Sequence, residues 1–596
     1  METPTATPGL ARFDPPAVQV DRRDDGSLLL RSPTPLAEHP HSVLAWLRHW
    51  AQRQPDQAVL AQRDGAGRWR TVTWGEALAA VRSLSGVLRR AGGSQERPLM
   101  VLSENAIEQA LVTWAAQYAG IPVAPVSPAY ATAAPPLNRL RGTVQLTRPG
   151  VVFVQDGRRF AAALEEVGLP ASQVIAVDHV PAGAIAFSDA VRESAPEDAD
   201  AIHDALPRDL PAKYMFTSGS TGVPKAVVVT HGMLAAAQQI TAQVVAQRPD
   251  GPMVQVDWLP WHHVMGGNVV LGRLLRFGGT LYIDDGRPLP GRFAQTLANL
   301  REVAPTYYFN VPAGYAMLVE ELERDEGFAR HFLSNLEFAY FSGASLPQEV
   351  HDRFQQVALR TVGRPVVIGT AYAATETTAA VMLRTWASEH SSCVGLPLPG
   401  CELKLVPDPT LPGRYELRVR GPNVFRRYLG QDVESPGRDE EDFYRGGDAV
   451  RFVDADDPAA GLQFAGRLSE DFKLANGTWV RTAALRQRLL DAGAPLVREA
   501  VVLGEGREWV GALVWVVSDS PGLRDQLATV LKKVNGDVTA ASLRIARVVI
   551  ESEPLSSAAY ELTDKGSVNV RAVAERRGAS VQALFDAAAS GPVVRG

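Results

Sequence analysis

Hydrophobic and polar positions divide the chain into three unequal stretches. Residues 1–40 are rich in proline and charge, with one apolar patch at Leu28, Leu29 and Leu30, and are expected to form an extended arm on the main body. Regular periodicity begins after it. Val43, Leu44, Trp46, Leu47 and Trp50 recur at helical spacing, and Thr73 and Glu76 stand as the Ser/Thr-x-x-Glu of a capping box ahead of a second helical run. Ile107, Leu111, Trp114 and Tyr118 make one helical stripe that stops at Gly120, and residues 121–126 read as a short buried strand.

Helix then strand recurs to about residue 380: 234–246 then 254–259, 293–303 then 306–309, and 350–357 then 366–368. That alternation predicts an α/β fold with parallel or mixed sheets. From about 395 to 466 the pattern changes to short alternating segments broken by Pro397, Pro399, Pro407, Pro412 and Pro422, as in a β-rich subdomain. The last 130 residues return to mixed α and β, with apolar runs at 500–503 and 509–517 and helical patterns near 523–534 and 568–586. We place a boundary near Gly466, giving a body of 1–466 and a small α+β domain of 467–596.

Composition narrows the class. The chain has 596 residues, 46% hydrophobic and 21% charged, with a net charge of −6, which suits a globular protein of at least two domains. Nothing in that balance calls for nucleic acid or an anionic membrane as a partner. Cys393 and Cys401 lack the spacing of a metal site or a disulfide framework. Asp14, Asp21, Arg22, Arg23 and Asp24 occupy the region where a signal peptide needs an apolar core, so a cytoplasmic monomer or homodimer is expected.

The chemistry concentrates between Tyr214 and His231. Thr217, Ser218, Ser220 and Thr221 offer hydroxyl donors, Gly219 and Gly222 allow backbone N–H groups to approach an anion, and Lys225 adds a positive charge. Pro224 precedes the lysine and Val227, Val228 and Val229 follow it, so the pattern is strand, loop, strand and departs from a Walker P-loop, which opens a helix. The run from Thr217 to Val227 closely resembles the phosphate-binding signature of the acyl-adenylate-forming superfamily of acyl- and aryl-CoA ligases, luciferases and peptide-synthetase adenylation domains.

Further segments resemble that superfamily in the expected order. In Ala371-Tyr-Ala-Ala-Thr-Glu-Thr377 the resemblance implies Tyr372 against adenine, Thr375 on phosphate and Glu376 helping to hold Mg2+. Asp448 of Gly447-Asp448 would receive the ribose hydroxyls, and Arg467 would touch ribose or phosphate near the domain junction. Lys565, in Glu561-Leu-Thr-Asp-Lys-Gly-Ser567, would be the lysine of adenylation, while Lys473 would face the CoA thiol after the C-terminal domain rotates about residues near 467–469. His263, Val264, Met265 and Gly267, with Ser342, Gly343, Ala344 and Ala371, match the positions that line the acyl pocket, His263 gating it.

Several stretches, among them Pro125 to Tyr130, Trp258 to Asn268 and Thr563 to Gly566, look like the bacterial feruloyl-CoA synthase branch. The resemblance implies ATP, Mg2+ and coenzyme A as cofactors and a hydroxycinnamate-type carboxylic acid as the small-molecule substrate. Transfer to a carrier protein or amine, another aryl or medium-chain acid, and a non-catalytic nucleotide sensor are the alternatives. Ala226 and Ala373 stand where the family pattern has glycine, and Gly447 where threonine often precedes the aspartate. Alanine is compatible with those sites only where φ is negative.

Overall fold

The computed structural model describes residues 13, 15–133, 136–217, 225–245, 252–289, 291–343, 345–388, 390–431, 436–517, 521–536, 538, 540–556, 559, 561–562, 568–586 and 593–595. Ser218 to Pro224, Ala344 and Lys565 lie outside the described residues.

The architecture is α/β, with a large sheet-rich N-terminal body and a smaller C-terminal domain. Parallel strands Ala58–Arg63, Thr280–Ile283, Val254–Asp257, Tyr307–Asn310, Phe338–Phe341 and Val367–Ala373 are six successive neighbours in a 15-stranded sheet. Their near-continuous apolar character follows from helices covering both faces. At Ala380–Leu383 the sheet turns antiparallel, and it runs on through Cys393–Pro397 into the meander Glu402–Pro407, Tyr415–Arg420, Tyr444–Phe452 and Leu462–Arg467. The proline-broken, alternating stretch after 395 is this meander. A second sheet of seven strands carries Val123–Pro125 beside Pro211–Thr217, which pairs antiparallel with Lys225–Thr230.

Residues 19–31, expected in an extended arm, form a hairpin instead. Gln19–Arg22 pairs with Leu28–Arg31, and the latter pairs with Glu402–Pro407. Burial of Leu28, Leu29 and Leu30 supplies the reason: an apolar triplet is satisfied by adding a strand to the meander's edge. The capping box forms as the spacing predicts. Thr73 Oγ1 accepts from the Glu76 backbone at 3.2 Å, and Glu76 accepts from the Thr73 backbone at 2.8 Å.

Beyond Arg467, the four strands Val497–Leu503, Val510–Val516, Ile545–Ile550 and Val593–Arg595 form a separate sheet. Helices Thr482–Gly493 and Leu523–Asn535 close a core of their own with it, around Leu485, Leu527, Leu531 and Val548. At the junction, buried Asp471 accepts ion pairs from Arg414 at 2.7 Å and Arg481 at 2.8 Å, while Asp408 takes Arg414 at 3.0 Å. Both cysteines are buried. No described helix is long and apolar enough to cross a membrane.

Candidate active site

The hydroxyl-rich segment is held at both ends by one hairpin. Thr217 ends the strand Pro211–Thr217 and pairs directly with Lys225, the first residue of Lys225–Thr230. The strands on either side of residues 218–224 are therefore antiparallel partners, as the valines after Lys225 predict for the second of them. Ala226 is fully buried in that second strand and Ala373 ends the strand Val367–Ala373. Neither is among the positive-φ residues, so alanine is accommodated at both without strain.

Residues 425–429 join this hairpin to the Thr-Glu turn. Leu429 donates to the Ala226 carbonyl at 2.8 Å, Val228 donates to Arg427 at 3.2 Å, and Phe425 donates to the Glu376 carbonyl at 2.7 Å. Tyr428 completes the link: its hydroxyl donates to Glu376 Oε1 at 2.9 Å, and Lys225 Nζ lies 5.5 Å from its ring centre. Among the described residues, the bond from Tyr428 to Oε1 is the one made by the Glu376 carboxylate. Thr375 and Glu376 sit in a single 3-10 turn, Thr375 buried and Glu376 half-buried.

Asp448 forms the second half of the cluster. Tyr372 donates to its Oδ2 at 2.6 Å, and Arg467 Nε stands 3.5 Å from its Oδ1. Burial raises the Asp448 carboxyl above the ordinary aspartate range, opposed by the Tyr372 hydrogen bond and the Arg467 charge. Although Asp448 is only 7% exposed, its Oδ1 has no hydrogen-bond partner. A vicinal diol would supply one, so a ribose fits this carboxylate.

A glycine bulge aims Asp448. Leu417 pairs with Asp448 but Arg418 pairs with Arg445, leaving Gly446 and Gly447 as extra residues in the strand. Gly447 has φ of +76°, a conformation that threonine adopts only with strain. A Cβ on Gly446 would come within 2.9 Å of the Tyr372 hydroxyl. Glycine where threonine often stands is thus a local requirement of this backbone.

The acyl-pocket candidates gather at the ends of the parallel strands. Val264 leads into a π-helical turn, Met265–Val270, and Gly267 donates back to the His263 carbonyl at 2.7 Å. Its packing is close: a Cβ on Gly267 would sit 2.1 Å from the Trp261 carbonyl oxygen. His263 is half-buried, with its ring 4.2 Å from that of His262. Ser342 and exposed Gly343 follow Phe338–Phe341, and half-buried Ala371 lies in the next strand. Asn310 joins the pieces, accepting from Trp258 Nε1 at 3.2 Å while its carbonyl accepts from the Ser342 backbone at 3.4 Å.

Lys473 is exposed on the small hairpin Phe472–Lys473 and Trp479–Val480, with its ammonium 5.0 Å from the Trp479 ring centre. No hydrogen bond or ion pair connects it to Asp448 or Glu376 among the described residues. The Lys565 segment is bracketed by the bridge between Leu562 and Val568.

Sequence reasoning missed Lys213. It is buried in the strand leading to Thr217, and its ammonium donates to the Gly267 carbonyl at 2.5 Å and to Asn268 Oδ1 at 3.2 Å. Asn268 Nδ2 in turn donates to the Thr378 carbonyl at 3.0 Å. One cation therefore ties the loop strand, the pocket helix and the Thr-Glu turn together. Burial pulls its pKa down to about 7.

An α/β body with a buried carboxylate, a tyrosine and an arginine beside a hydroxyl-rich loop has the chemistry to hold a nucleotide. Comparison with known proteins gives the family: the AMP-binding enzyme profile matches residues 47–429 and the AMP-binding enzyme C-terminal domain profile matches 471–589, and the chain belongs to this family. It is 28% identical over 312 residues to the 3-hydroxybenzoate–CoA ligase of Aromatoleum sp. (strain CIB), a match covering 50% of this chain and 54% of that protein. Against 4-coumarate–CoA ligase 2 of Oryza sativa subsp. japonica it is 26% identical over 555 residues, 89% of each chain. The crystal structure of the anthranilate CoA ligase AuaEII in complex with anthranoyl-AMP superposes with a TM-score of 0.71 at 18% identity, covering 92% of this chain and 98% of that one. At that identity the likeness concerns the fold.

Proposed function

We propose that this chain is an ATP- and Mg2+-dependent acid–CoA ligase. It adenylates an aromatic carboxylic acid of the hydroxycinnamate type, with ferulate as the leading candidate, and passes the acyl group to coenzyme A, releasing AMP and pyrophosphate. The observation that carries this reading is the buried Asp448 Oδ1, without a hydrogen bond, beside Tyr372 and Arg467, on the same cluster as Glu376 and Lys225. Relatives named for 3-hydroxybenzoate and 4-coumarate support an aromatic substrate.

Asp448 accepts the ribose hydroxyls and Tyr372 packs against the base. Thr217, Lys225 and the loop between them bind the phosphates through hydroxyls, backbone N–H groups and the lysine charge. Glu376 would hold Mg2+, which would supply neutralisation of phosphate charge. His263 and the Met265–Val270 turn orient the acid so that its carboxylate meets the α-phosphorus in line. Lys565 stabilises the charge that develops there. Rotation of the smaller domain near 467–469 then withdraws Lys565 and turns Lys473 towards the thiol.

The test is pyrophosphate release with ferulate, ATP and Mg2+, followed by CoA-dependent formation of the thioester. Pyrophosphate without CoA-dependent AMP release would favour a carrier protein or amine acceptor. No pyrophosphate with any acid would refute adenylation. Lys565→Ala is expected to abolish adenylation while sparing thioester formation from supplied acyl-adenylate; equal loss of both halves would refute the division of labour between Lys565 and Lys473.

A further inference from the structure

Arg273 lies in the helix Leu271–Phe277, directly after the pocket turn. It is 3% exposed, makes no ion pair among the described residues, and its Nε and Nη1 have no hydrogen-bond partner. Three aromatic rings surround the guanidinium instead, those of Phe309, Tyr307 and Phe277 at 5.2, 5.4 and 5.5 Å. Cation–π contact offsets part of the cost of burying a charge. A buried cation with unmet donors nonetheless remains unfavourable until an acceptor arrives.

Strand register locates this guanidinium relative to the pocket. Phe309 pairs with Tyr340, and Tyr340 with Gly369, so all three stand at one level of the parallel sheet. Ala371 is two residues beyond Gly369 in its strand, on the same face and about 7 Å nearer the strand end, and Ser342 directly follows the neighbouring strand Phe338–Phe341. Side chains of a helix lean towards its N-terminus, here the Met265 end. Arg273 therefore lies beneath the pocket candidates, on the same face of the sheet. Gln255, the strand partner of Tyr307, is fully buried with neither amide atom hydrogen-bonded. Two polar side chains here thus carry atoms without hydrogen bonds, Gln255 at the level of Tyr307, two residues below Phe309.

We propose that Arg273, with Gln255, forms a polar floor to the acyl slot and selects acids carrying an acceptor oxygen, a phenol or a second carboxylate, at the end remote from the activated carboxyl. This deepens the acid–CoA ligase reading and rests on it. The guanidinium donates to that oxygen, and Gln255 offers either a donor or an acceptor to the remaining group. Arg273 is a specificity-determining residue in this scheme, remote from the bonds that change.

The test compares kcat/KM for 4-hydroxycinnamate, 4-carboxycinnamate and 4-methylcinnamate in the full-length enzyme, by pyrophosphate release. Wild type is expected to favour at least one oxygen-bearing acid over the methyl isostere by about tenfold or more. The better of the two identifies whether a neutral phenol or a carboxylate is the natural feature. Arg273→Met should bring the ratio close to one while retaining turnover of 4-methylcinnamate, and Arg273→Lys should keep part of the preference. Equal rates with all three acids in wild type, or an unchanged ratio in Arg273→Met, overturns the proposal and leaves the ligase reading intact. Should Arg273→Met not fold, the wild-type ratio and Arg273→Lys decide. Pyrophosphate from no acid at all overturns the ligase reading and this proposal with it.

Discussion

Replacing Tyr372 with phenylalanine isolates one hydrogen bond in the proposed nucleotide site. The Tyr372 hydroxyl donates to Asp448 Oδ2 at 2.6 Å in a buried setting, and a hydrogen bond to a charged group contributes about 1.5–3 kcal/mol. If Asp448 receives the ribose, Tyr372→Phe should raise KM for ATP roughly 10- to 100-fold, with a smaller change in KM for the acid. The pH dependence gives a second readout. Burial already raises the Asp448 carboxyl, and the Tyr372 hydrogen bond opposes that rise. Removing the bond raises it further, so the acid limb of kcat/KM for ATP should move to higher pH. Steady-state kinetics in ATP between pH 5 and 8, with the acid saturating, measures both effects. An unchanged ATP KM together with an unmoved acid limb would refute the assignment of Asp448 to the nucleotide, and a fall in kcat alone would place Tyr372 elsewhere in the cycle.

Lys213→Met removes the donor to Gly267 and Asn268; KM for the acid should rise about tenfold or more with little change for ATP, and equal change in both would argue against a pocket-specific role. The same residue sets a stability trend: its folded pKa, about 7, lies below the ordinary 10.5, so the unfolded chain binds the extra proton between those values and stability should climb with pH across that window. Urea unfolding of wild type against Lys213→Met from pH 7 to 10.5 would reveal the difference, and parallel curves would contradict the assigned shift. Gly447→Ala imposes a left-handed conformation on a residue with Cβ and should cost about 1–2 kcal/mol with a weakened ATP KM; wild-type behaviour would mean that the bulge relaxes. Arg414→Met leaves the carboxylates Asp408 and Asp471 with Arg481 alone and should destabilise by about 1.5–3 kcal/mol in thermal or urea unfolding. A loss below 1 kcal/mol would indicate that Arg481 alone satisfies both.

What was legible in the sequence was local. The capping box, the helix and strand alternation and the hairpin around the hydroxyl-rich loop are properties of a few adjacent residues, and each formed where spacing placed it. Tyr372, Glu376 and Asp448 became candidates through short motifs for the same reason, and the structure brings Tyr372 to Asp448 and Glu376 to Tyr428. Lys213 was not a candidate, because it reads as one polar residue in an apolar strand until the fold brings Gly267, 54 positions later, to its ammonium. Tyr428 lay in a proline-broken stretch with no motif, and only the bridge from Val227 reveals its place beside Glu376. The glycines at 267 and 446 carry a further packing signal, Gly267 lying against the Trp261 carbonyl and Gly446 against the Tyr372 hydroxyl.

The substitutions that distinguish this chain from the family pattern therefore divide by backbone geometry. Ala226 and Ala373 sit in extended strands at negative φ, where glycine has no conformational advantage and alanine loses less entropy on folding. Gly447 is the reverse case, a glycine that the positive φ demands. Those three departures weigh neither against a competent phosphate loop nor against a competent ribose site, so they give the non-catalytic sensor reading no support. Buried polar atoms without hydrogen bonds lie deeper, at Arg273 and Gln255, where a purely apolar acyl slot would need none.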